Sequence, residues 1–159
     1  MASDSSEVLL RAAGMGIITG LRSMAGPALI SYRAARHPGD LAETPLRLLA
    51  SDRMRTLLTL SAAGEVIVDK LPFVPPRTSP GPLAGRILLG AVAGAAMCIE
   101  ERQPPLIGTL LGAGGGLAGS YLGRAFREAA KQRLHLSYTV SGLIEDAAAF
   151  VVGRRIAGV

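Results

Sequence analysis

The sequence predicts an all-α integral membrane protein with about five apolar helices. Three observations carry this. Five apolar stretches of about 17 to 25 residues follow one another, close to the length a helix needs to cross the hydrocarbon core. Charged residues make up 18% of the 159-residue chain, where a soluble domain usually has about 25%. Glycines recur at four-residue spacing inside the apolar stretches, and strand-like alternation is never sustained.

The first stretch runs from Val8 to Tyr32 and contains Arg11, Arg22 and Pro27. A polar connection, "RAARHPGDLAETP", leads to a short basic segment over 46–55. The second stretch, 56–74, holds Glu65, Asp69 and Lys70 and ends at Pro72, before the Pro-dense "FVPPRTSPGP". The third covers 83–99 and stops at Glu100 and Glu101. Pro104 and Pro105 then suit the start of a helix, and the fourth stretch occupies 106–126. The fifth, 136–153, carries Glu145 and Asp146 near its middle and closes at Arg154 and Arg155. The whole, 1–159, reads as one membrane domain.

Composition narrows the function classes. The single Cys98 cannot form an internal disulfide, and His37 and His135 lack ligand spacing, so no metal site or cofactor is expected. Asp4 and Glu7 stand where a secretory signal needs positive charge, so no cleaved signal is expected. The net charge of +5 comes from scattered arginines without aromatic platforms. That pattern argues for lipid rather than nucleic acid as the partner.

The segment "GGGLAG", 114–119, fits the dinucleotide fingerprint G-x-G-x-x-G. It lacks the preceding strand and the acidic residue about twenty positions on, so it carries no weight. Helix packing accounts for more of the glycines. Gly108, Gly112 and Gly116 lie four apart, as do Gly115, Gly119 and Gly123, Gly16 and Gly20, and Gly90 and Gly94. Residues four apart share a helix face. Glycine rows there let backbones approach closely, which is how helices associate in lipid.

The charges inside these stretches are the candidate site. A carboxylate at the centre of a span costs about 2.5–3.5 kcal/mol, while each large apolar residue returns about 0.3–0.6. Glu65, Glu145 and Arg22 fall near the middle of their stretches, so one shared polar centre is expected. Glu65 and Glu145 are the candidate proton or cation ligands. Arg22 is their counter-charge, and Asp69 and Asp146 are secondary acids. Lys70 and Arg86 are expected to reach the headgroups. No nucleophile, metal set or phosphate loop accompanies the acids, so an enzyme is not expected.

A weak internal repeat sets "LTLSAAGE" (58–65) over "YTVSGLIE" (138–145) and "GIITGLRSM" (16–24) over "GAGGGLAGS" (112–120). It implies inverted halves, 8–74 and 104–159, joined by the helix 83–99, as in transporters. Pro27 would break the first helix and free carbonyls to line the site. With five spans, Arg and Lys divide eight against eight between the two sides, so the positive-inside rule gives no orientation.

Three features together, "GIITGLRSMAGPAL", the Glu65-x-x-x-Asp69-Lys70-x-Pro72 pattern and the closing Glu145–Asp146 segment, resemble a bacterial family of small integral membrane proteins catalogued only as a domain of unknown function. The resemblance covers nearly the whole chain. It implies a multi-pass helical protein of the cytoplasmic membrane and brings no activity or catalytic residue with it. The expected function is a small channel or transporter with a midplane acidic site. The alternative is a membrane scaffold that packs against other spans, or against its own copies as a homo-oligomer, through its glycine faces.

Overall fold

A computed structural model describes residues 4–36, 39–69 and 76–159, and every described element is helical. The α-helices are α1 (Ser5–Leu21), α2 (Ala25–Arg36), α3 (Asp52–Val68), α4 (Pro80–Glu100), α5 (Pro105–Leu134) and α6 (Tyr138–Ala157). Two 3-10 segments, Gly39–Glu43 and Pro45–Ala50, join α2 to α3. His37, Lys70 and Pro72 lie outside the described residues.

The helix ends follow local chemistry. Asp4, Ser51 and Ser137 accept from Ser6, Met54 and Val140 amides at 3.3 Å each, which caps α1, α3 and α6. Prolines open α4 and α5, where the missing N–H costs nothing. His135 and Gly158 close α5 and α6 in the left-handed region, at φ 50° and 71°.

α1, α4 and α5 form the central seam, and glycines set its spacing. A Cβ on Gly16 would fall 2.8 Å from Gly112 Cα, and one on Gly94 would fall 2.9 Å from it. A Cβ on Gly20 would lie 2.7 Å from Gly119 Cα. Only hydrogen at these positions allows the backbones to meet. Gly16, Gly20, Gly90, Gly94, Gly108, Gly112, Gly115, Gly116 and Gly119 all face backbone of a neighbouring helix, and Gly108 faces Cys98 as well. Gly123 instead faces the side chains of Arg77, Glu145 and Leu21.

The same contacts fix the helix directions. Gly16 meets Gly112 and Gly20 meets Gly116 and Gly119, so α1 and α5 run parallel. Gly90 meets Gly112 and Gly94 meets Gly108, so α4 runs against α5. Gly14 faces Ile156 and Gly153 faces Ile18, so α6 runs against α1.

Here the structure corrects the sequence reading. The first stretch is not one span. It turns at Arg22–Met24 into a helical hairpin, with Gly26 packed back on Thr19. The extra reversal makes α1 parallel to α5, so the first pair of repeat segments is not inverted. Pro27 falls within the first turn of α2, where its missing N–H is harmless, and the break comes before it.

The starts of α1, α3 and α5 and the ends of α2, α4 and α6 therefore share one face of the bundle. Arg33 ties that face together. It pairs with Glu100 and Glu101 at the end of α4 and donates to the Ala157 carbonyl at 2.9 Å. Among the described residues, one helix, Pro80–Glu100, is long and apolar enough to cross a membrane. α1 and α3 have 17 residues each, and glycines and paired charges dilute α5 and α6.

Candidate functional site

The ionisable groups singled out in the sequence come together. Glu65 on α3 points at the hairpin tip, where it accepts from Ser23 N at 2.8 Å, Ser23 Oγ at 2.6 Å and Met24 N at 2.9 Å. The two amides belong to the turn that leads into α2, and a carboxylate there also meets the positive end of the helix dipole. The hairpin break thus offers amides to Glu65, where freed carbonyls were expected. The opposite end of the tip is served by a cation, because Arg77 Nη1 donates to the Leu21 carbonyl of α1 at 3.3 Å. Each helix end is met by a side chain of opposite charge.

The other acids sit among arginines. Arg22, 4% exposed, bridges Asp69 and Asp146. Glu145, also 4% exposed, pairs with Arg77 and accepts from Arg127 Nε at 2.7 Å. Arg77 and Arg127 reach on to Asp69 at 3.6 and 3.5 Å. Arg86 donates to Glu65 at 3.2 Å. Among the described residues, four guanidiniums thus face four carboxylates across the ends or bodies of α1, α3, α4, α5 and α6 and the turn before α4, and their formal charges balance.

Arg86 is therefore not at the headgroups: it is 5% exposed and bonded to Glu65. It lies six residues into α4, about 9 Å from one end and about 21 Å from the other at 1.5 Å per residue. The cluster is off centre, closer to one face of the bundle than to the other.

Arg77, Arg86 and Arg127 were missed as site residues. Arg77 is hidden in a proline loop, and Arg127 stands in a segment that reads as solvated. Charge balance was the available signal, since four acids inside apolar stretches with one named arginine leave three charges to be found.

Among the described residues, the buried N–H groups Arg22 Nε, Arg86 Nε and Arg86 Nη1 have no acceptor. The cluster has donors to spare. Arg22, Glu65 and Asp146 also form the floor of a 510 Å³ groove between α2, α3 and α6. Its walls are mainly apolar, and Arg36 and Arg154 stand at its outer end.

No protein-family model, curated protein or solved structure matches this chain.

Proposed function

We propose that this protein is a multi-pass bundle of the bacterial cytoplasmic membrane and a small transporter-like protein that handles protons at the Arg–carboxylate cluster. One observation carries the reading: its polarity is inside out. Leu10, Leu60, Ile67, Leu88, Leu106 and Leu110 are each more than 60% exposed, while eight charged groups are gathered inside. Water around such a surface would leave a large apolar exterior unpaid, whereas lipid removes that cost.

Length supports membrane residence where composition alone does not. α4 to α6 each measure about 30 Å or more at 1.5 Å per residue. The charges that lower their apolar character pair with one another.

The cluster also narrows the chemistry. A metal or organic cation would have to displace an arginine from its carboxylate. A proton adds to a paired carboxylate without needing space, so Glu65 and Glu145 are the groups to carry it, with Asp69 and Asp146 beside them and Arg22 as counter-charge. The scaffold reading has less support, because the glycine faces it needs are taken up within the chain.

The hairpin supplies an orientation. Outside the cluster, the face with both ends of the described chain carries Arg11, Arg33, Arg36, Arg47, Arg53, Arg55, Arg102, Arg154 and Arg155. The other face carries Arg124, Lys131 and Arg133. Among the described residues outside the cluster nine stand against three, and under the positive-inside rule this favours the nine in the cytoplasm.

The test is proton flux into dye-loaded liposomes of phosphatidylethanolamine and phosphatidylglycerol. Wild type should dissipate an imposed pH gradient faster than empty liposomes. Glu65→Gln and Glu145→Gln, once shown to be helical and monodisperse, should not. Equal flux from wild type and both variants overturns the proposal, as does wild-type flux no faster than that of empty liposomes.

A further inference from the structure

We propose that the groove between α2, α3 and α6 is a binding site for one anionic phospholipid, its acyl chain along the apolar walls and its phosphate between Arg36 and Arg154. This rests on the membrane reading above but not on proton transport.

The walls supply the chain-binding half. Ala28 and Leu29 of α2, Ala62 and Val66 of α3, and Ala149 and Phe150 of α6 face the groove. Small alanines on all three helices keep it open, and its 510 Å³ lies in the usual range for ligand sites. From Ala25 to Arg36 the groove follows α2 for eleven residues, about 16 Å. That is close to half of a hydrocarbon core about 30 Å thick, the depth of one leaflet.

The outer end supplies the head-binding half. Arg36 has no acidic partner among the described residues. Arg154 stacks on Phe150, 5.8 Å from the ring centre, and gives only its Nε to the Val159 carbonyl, at 3.1 Å. Both lie at the ends of their helices, on the arginine-rich face, where headgroups are expected. Two guanidiniums over an apolar slot complement an anionic amphiphile and offer nothing comparable to a zwitterionic one. The inner end does not compete for the phosphate, because Glu65 and Asp146 line it beside Arg22 and their negative charge opposes an anion there.

The experiment titrates the full-length protein in detergent with dioleoyl phosphatidylglycerol, dioleoyl phosphatidylcholine and glycerol 3-phosphate, and follows thermal unfolding. With about 1 kcal/mol per basic residue at a headgroup, wild type should prefer the phosphatidylglycerol about thirtyfold over the phosphatidylcholine. The Arg36→Gln/Arg154→Gln variant should lose that preference, and Ala62→Phe, which fills the slot, should weaken both lipids. Equal preference in wild type and the double variant overturns the proposal. Matching stabilisation by glycerol 3-phosphate overturns it too, since a free phosphate site would then suffice. Lipid preference that persists without proton flux would sink the transport reading and leave this one standing.

Discussion

Gly112→Ala and Gly114→Ala, two residues apart on α5, should change stability in opposite directions. Gly112 is where α1, α4 and α5 meet. A Cβ there would run into the Gly90 carbonyl oxygen and lie 2.9 Å from its carbon and 3.0 Å from Gly94 Cα. Carbon atoms prefer about 3.5–4.0 Å, so α4 must retreat by roughly 0.5–1 Å, which forfeits a quarter to a half of the dispersion along that seam. All of the obstructing atoms are backbone, so no rotamer change relieves the clash. Overpacking of this kind costs about 1–3 kcal/mol, against about 1 kcal/mol returned by removing a helical glycine. A Cβ at Gly114 meets nothing within 4 Å, so only the gain remains. Circular dichroism melts in one detergent should show Gly112→Ala falling by up to about 8 °C and Gly114→Ala rising by about 2–4 °C. If both rise together, the helices are not held at backbone contact and the packing argument fails.

Three further outcomes are expected. Glu145→Gln leaves Arg77 and Arg127 facing a neutral group, and breaking a buried pair costs about 3–5 kcal/mol. Adding Arg127→Gln should restore part of that loss in the same melts, and no recovery would show that the two are not coupled. Gly123→Ala would put a Cβ 2.8 Å from Glu145 Oε1 and against Arg77, a clash of about 1–3 kcal/mol against about 1 kcal/mol returned, so it should destabilise by up to about 2 kcal/mol. Gly81→Ala, with open space around it but in the first turn of α4, where interior helix propensity does not apply in full, should be neutral within about 0.5 kcal/mol. Reporter fusions at the two termini should both report the cytoplasm, and opposite sides would refute the α1–α2 hairpin topology.

Several of these features were legible in the residues alone. Apolar length and the lack of alternation specify helices, and the spacing of Gly16, Gly90, Gly94, Gly108 and Gly112 marks faces for close packing, because both follow from the 3.6-residue period. Glu65, Glu145, Arg22, Asp69 and Asp146 stood out because a charge in an apolar stretch needs a partner. Local pattern could not name the partners. Arg77 and Arg127 stand beside Glu145 only because distant segments fold together, and the pairings span 68 and 18 residues.

By itself, then, the sequence determined that the chain is helical, that its helices pack through glycine and that its acids require cations. Tertiary structure decided the rest: the reversal at Arg22–Met24, the parallel course of α1 and α5, and the neutral set of four arginines against four acids. The physical reason is range. Helix formation and glycine spacing are settled within a few turns. A hairpin tip is stable only when a remote carboxylate, Glu65, satisfies its amides and a remote guanidinium, Arg77, its last carbonyl.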